Sequence, residues 1–133
     1  MLRYVMLGFI LLLSSGSLLA GNTLLPAGSV KEHTKVELTE VQKVHRLIQF
    51  VRGMKDATFV RNGSEHTCKE AADHLQSKWE KHKNSIGSAR DFIEKLASKS
   101  GFSGEPYKIR FKDGTEHTTN AILTKELERL ESL

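Results

Sequence analysis

The chain has a single cysteine, Cys68. That excludes an intramolecular disulfide and the Cys-x-x-Cys spacing of redox and zinc sites. A lone thiol in an oxidising compartment is buried, reactive or shared with another chain, and a Cys68-linked dimer is one expectation. No His-Glu-x-x-His string and no Gly-x-Ser-x-Gly elbow occurs, so the common zinc-hydrolase and serine-hydrolase signatures are missing. Aromatics make up only 7% of the residues, and 20 Lys+Arg stand against 16 Asp+Glu. A nucleic-acid surface needs clustered cations with stacking rings, so nucleic acid is not an expected partner. The longest apolar run, Val5–Leu13, is broken by Gly8 and is shorter than the ~20 residues of a membrane-spanning helix.

What stands at the N-terminus instead is the plan of an export signal. Met1–Tyr4 carries one positive charge, Arg3; the apolar run follows; Ser14–Ala20 turns small and weakly polar. The expected organisation is a signal peptide over 1–20, cleaved near Ala20, a flexible leader over 21–37, and one domain over 38–133. Asn22 follows Leu19-Ala20-Gly21 where a lipidated cysteine would stand. The expected product is therefore soluble, periplasmic or secreted, without stable membrane insertion. Loss of Arg3 leaves 19 basic against 16 acidic residues, a net charge of about +3, and the remaining length is ample for a core without covalent staples.

Apolar periodicity then sets the elements. Leu38, Val41, Val44, Ile48 and Val51 recur at helical steps, predicting a helix over Thr39–Arg52 that stops at Gly53. Phe59–Arg61 and Ser64–Thr67 flank Asn62-Gly63, the preferred two-residue loop of a hairpin. Thr67 with Glu70 forms a capping box before Ala71, Ala72, Leu75 and Trp79, opening a second helix. Ser88 with Asp91 repeats the cap before a third helix carrying Phe92, Ile93 and Leu96, ended by Gly101. Tyr107, Ile109 and Phe111 alternate with cations, Asp113-Gly114 predicts a second two-residue turn, and Thr118 or Thr119 caps a last helix. The expected fold class is α+β, four helices with two short β-hairpins in the order α-ββ-α-α-ββ-α. Trp79 and Phe92 fall on apolar stripes and belong to the core. Lys69, Lys78, Lys81 and Lys83 alternate with Glu70, Asp73 and Glu80 as on a solvated helix face.

One string is written twice. Val60–Thr67 and Phe111–Thr118 agree in character at every position, fifty-one residues apart. The turn explains Asn62/Asp113 and Gly63/Gly114, and the cap explains Thr67/Thr118. Glu65-His66 and Glu116-His117 remain. Adjacent strand residues point to opposite faces, so neither pair is a dyad by itself. With a two-residue second loop, Phe111 stands opposite Glu116 and Arg110 opposite His117. Glu116 then flanks the core and His117 faces outward. A shared site would need the two hairpins to meet and pool Glu65 with Glu116 or His66 with His117. As metal ligands, His66, His74, His82 and His117 lack any recognised spacing, and no metal or cofactor is expected. A helix N-terminus lowers the pKa of a thiol, so Cys68 just after the second cap could be reactive, but the sequence shows no paired histidine to activate it.

Four stretches together resemble the YfeK-like family of small exported bacterial proteins: Phe59–Gly63, Glu70–Lys78, Ala89–Ser100 and Ser103–Tyr107. The resemblance covers about residues 40–130. It implies an exported protein of unknown function with no assigned catalytic residues, and the second Glu-His-Thr lies outside the family pattern. It directs attention to Arg61, Glu70, His74, Lys78 and the loop with Glu105 and Tyr107. Glu70, His74 and Lys78 are four apart, so they stack along one helix face. The leading expectation is a non-catalytic binding or interaction module for an envelope protein or polymer, with that patch as its site and no catalytic residue. The alternative is a small hydrolase or metal-dependent enzyme using His74 with Glu70, or the hairpin Glu-His pairs.

Overall fold

The computed structural model describes residues 35–133; the expected signal peptide and most of the leader lie outside the described residues. Helix α1 spans Glu40–Arg52, strands β1 and β2 span Ala57–Arg61 and Ser64–Thr67, and helix α2 spans Cys68–His82. Helix α3 begins as an α-helical turn, Ala89–Phe92, and widens into a π-helix over Ile93–Ala97. Strands β3 (Lys108–Phe111) and β4 (Glu116–Thr118) precede helix α4, Thr119–Glu131. This is the expected α+β class and order. Among the described residues no helix is long and apolar enough to cross a membrane.

The caps of the last three helices are those the sequence called for, and Thr39, expected inside the first helix, caps it instead. Thr39 and Thr67 each form a reciprocal capping box, with Gln42 and Glu70. The Ser88 and Thr118 hydroxyls accept from the Asp91 and Ala121 amides. Each such cap satisfies backbone N–H groups that have no helical partner. The first helix stops at Gly53 as expected, with φ −79°, a right-handed stop that any residue could make. One helix end differs from expectation. The third helix ends at Ala97 rather than Gly101, where the Ser98 hydroxyl and the Tyr107 amide turn the chain back.

The two hairpins meet. They form one antiparallel sheet in the order β2-β1-β3-β4, joined through β1 and β3. The row His66–Phe59–Ile109–His117 lies on the helix side, because directly paired residues share a face. Phe59 and Ile109 at its centre are fully buried, with Leu47, Ile48, Leu75, Phe92, Ile93, Leu123 and Leu127 in the same core. Each such side chain contributes ~1.5–3 kcal/mol by burial. Trp79 and Phe92 meet edge to face at 6.1 Å within it.

The second turn is not the expected two-residue loop. Asn62 and Gly63 both have positive φ, 50° and 76°, as a type I′ turn requires. In the second hairpin only Gly114 does, at 89°. The Gly114 amide donates to the Phe111 carbonyl and the Phe111 amide to the Thr115 carbonyl. The loop is therefore Lys112-Asp113-Gly114, a turn followed by a left-handed glycine. Lys112 leaves the strand, so Arg110 pairs with Glu116 and Ile109 with His117. A slip of one residue exchanges the faces of a strand. Glu116 points outward and His117 lies on the helix side, the reverse of the sequence reading.

Candidate functional site

The register decides what the repeated string can do. Glu65 and Glu116 both come to Arg110 on the outer face: its guanidinium binds Glu65 and donates from Nε to Glu116 Oε2 at 2.8 Å. The hairpins thus share their glutamates through an exposed ion pair. Their histidines stand at opposite edges of the sheet. Three strand spacings of about 4.8 Å keep them roughly 14 Å apart, so His66 and His117 form no common site. His117 lies edge-on to Phe111 at 5.9 Å, and the His66 Nε2 atom is buried without a hydrogen-bond partner. Among the described residues no group of three His, Cys, Asp or Glu side chains could hold a metal ion.

The patch around α2 does converge, with a different membership from the one expected. Arg61, at the end of β1, sets Nη1 3.1 Å from both ring nitrogens of His74. Equal distances place it against the ring, off either lone pair. His74 Nε2 lies 3.3 Å from the Tyr107 hydroxyl, and the Lys78 ammonium donates to that hydroxyl and to the Lys99 carbonyl, both at 3.4 Å. Lys78 also lies over the Tyr107 ring, 5.2 Å from its centre. Only 2% of Tyr107 is exposed; its ring packs on Phe59 at 5.2 Å, so it is a core residue whose hydroxyl emerges at the patch. Helical spacing puts His74 and Lys78 on one side of α2, and the Ser98–Tyr107 loop brings the phenol beneath them.

Two expected members stay out. The Glu70 carboxylate accepts from the Thr67 amide and hydroxyl at 2.8 and 3.0 Å, and these bonds hold it below the usual carboxylate range. It is occupied as a cap and gives His74 no carboxylate partner. Glu105 is exposed, and its backbone serves the loop: its carbonyl accepts from Ser100 and its amide donates to the Ser103 hydroxyl. Asn62 and Ser100 complete that loop's contacts. Phe102, 98% exposed, projects from it. Gly104 adopts φ 74°, which favours glycine.

The electrostatics of the cluster are one-sided. Burial first, then the charges of Arg61 and Lys78, push His74 down to about 4, so the imidazole is neutral at pH 7. Burial and the Arg61 charge lower Lys78; burial raises Tyr107. Shifted groups gathered in one place mark a functional candidate. Chemically, the cluster offers donors and positive charge. A nucleophile with its base is absent from it.

Two features escaped sequence reasoning. A groove of ≈ 600 Å³ lies between α1, the β3–β4 edge and α4, with Phe50, Met54, Phe111 and Ile122 in its walls and Lys125 and Arg129 at its rim. Its walls come from segments far apart in sequence; half-exposed Phe50 and Phe111 were its only local signal. The other is the fate of Cys68. It is 2% exposed, its thiol 3.4 Å from the Ala57 carbonyl, and burial pushes it up rather than the helix end pulling it down. An intermolecular disulfide would require drawing it out of the core.

Residues 38–131 match the model of the family described as "Family of unknown function (DUF5329)", and the chain belongs to that family. It is 40% identical over 72 residues to "Uncharacterized protein YfeK" of Salmonella typhimurium (strain LT2), a match that covers 54% of this chain and 60% of that relative's length. No solved structure matches the chain.

Proposed function

We propose that this YfeK-like chain is exported, with its leader removed near Ala20, and acts in the bacterial envelope as a non-catalytic binding module. Its ligand seats on the cluster of Arg61, His74, Lys78 and Tyr107. One observation carries the reading: three structural segments bring these four polar groups together, while Glu70, one turn before His74, is engaged in a helix cap and Asp73, beside His74 in sequence, is paired with Arg52 and Lys69. A general acid–base or nucleophilic mechanism needs a proton acceptor within hydrogen-bond reach of its partner. A neutral histidine flanked by two cations is poorly placed for either role but well placed for recognition. Export is supported by the three-part plan of residues 1–20.

The test is capture from a bacterial envelope fraction on the immobilised purified chain. Wild type is expected to retain a reproducible component, and His74→Ala to lose it while leaving the unfolding midpoint nearly unchanged. Identical retention by wild type and His74→Ala would count against this site.

A further inference from the structure

We propose that Arg61 and Lys78 together bind a dianionic oxyanion, a phosphate group, with the Tyr107 hydroxyl as a third donor. This rests on the binding-module reading above and names the chemistry of its ligand.

The first argument is the missing counter-charge. Lys43, Arg52, Lys69, Lys95, Lys108, Arg110 and Arg129 each have a carboxylate within ion-pair distance. The other described cations lack one, but all are exposed except Arg61 and Lys78, which are half-buried and drawn onto the touching pair His74 and Tyr107. Gathering like charges in a partly desolvated place costs free energy unless an anion joins them.

A second copy of the arrangement supplies a control within the molecule. Fifty-one residues beyond Leu75 and Lys78 stand Glu126 and Arg129, at the matching turns of α4. There Arg129 donates twice to Glu126, at 2.9 and 2.7 Å, and Glu126 is only 8% exposed. The second unit carries its own acid beneath its cation. The first has Leu75 at that position, wholly buried in the core. The same helix position thus carries a self-neutralised cation in α4 and an open one in α2.

The donors fit the ligand class. Arg61 uses Nη1 against His74 and has further N–H groups with no acceptor among the described residues. A guanidinium fork matches two oxygens of a phosphate. Lys78 is held by two long contacts of 3.4 Å and its place over the Tyr107 ring, and can turn to a closer acceptor. His74 is neutral, so the fixed charge is that of two cations, which matches the −1.5 to −2 of a phosphate ester near pH 7. An anion bound there would offset part of the repulsion that keeps His74 unprotonated.

The purified chain, labelled for histidine ring resonances, is titrated with sodium phosphate, glycerol phosphate, sodium acetate, and sodium chloride at matched ionic strength. Expected are saturable shifts of the His74 ring and a rise in its pKa with either phosphate, beyond the response to chloride, with weaker binding of acetate. Free and esterified phosphate are separated by which of the two binds more tightly. Arg61→Gln and Lys78→Gln should each weaken binding by about tenfold or more. They lie on different elements, so one remains informative if the other fails to fold. A phosphate response no larger than that of chloride, or one unchanged in both variants, overturns the proposal. Acetate binding as tightly as phosphate overturns the dianion assignment. If envelope capture still depends on His74 while phosphate does not bind, the oxyanion proposal falls and the binding module stands.

Discussion

At Asn62-Gly63 the chain reverses in two residues; fifty-one residues further, at Lys112-Asp113-Gly114, it takes three. The strings around the two turns are nearly the same, yet one added loop residue puts Arg110 rather than Phe111 opposite Glu116. The helices that follow diverge as well. Below the first hairpin α2 presents His74 and Lys78 to Arg61 and Tyr107. Below the second, α4 presents Lys125 and a self-paired Arg129 at the rim of an apolar groove. Local sequence likeness preserved the turn and the cap. It did not preserve the surface, because the surface depends on what lies across the helix: Tyr107 in one unit, Phe50, Met54 and Phe111 in the other. An internal repeat is thus evidence for a shared way of folding and weak evidence for a duplicated site.

The comparison breaks first at its joint. Phe59 and Ile109 are opposite each other where the units meet. Phe59→Ala should cost ~3–5 kcal/mol and Ile109→Ala ~2–5 kcal/mol in denaturant unfolding. A loss below about 1 kcal/mol for either would mean that the hairpins do not share a core there.

The next effect separates the two helices. His74 has a folded pKa of about 4 against an ordinary 6.5. Between those values the unfolded chain takes a proton that the folded chain resists, so stability falls as pH drops from about 6.5 towards 4 and is fully present above that window. His74→Gln should flatten that part of the stability–pH curve; a slope unchanged by the substitution would move the effect to another group.

The smallest effect concerns the loops. Deleting Lys112 leaves Asp113-Gly114 as a two-residue turn with Phe111 opposite Thr115, and Arg110 still opposite Glu116. The variant should fold with stability within about 1 kcal/mol of wild type and keep cross-strand contacts between Ile109 and His117 in an NMR spectrum. Contacts showing His117 on the outer face would mean that the loop length does not set the register.

Sequence by itself determined the elements and most of their starts: the apolar stripe of α1, the caps at Thr67, Ser88 and Thr118 or Thr119, the glycines of both turns, and the placing of His74 and Lys78 on one side of α2. These are legible because they depend on residues three or four apart. Tertiary structure decided the rest. Asp-Gly fits both a two-residue and a three-residue loop, so only the pairing of β3 with β4 shows which face carries His117. That β1 and β3 join the hairpins, that Arg110 gathers Glu65 with Glu116, and that Tyr107 rises beneath His74 are pairings between distant segments, fixed by the shared burial of Phe59 and Ile109. Even Glu70, whose cap was readable, left the patch because its carboxylate can serve the helix end or His74, and it is spent on the Thr67 amide and hydroxyl.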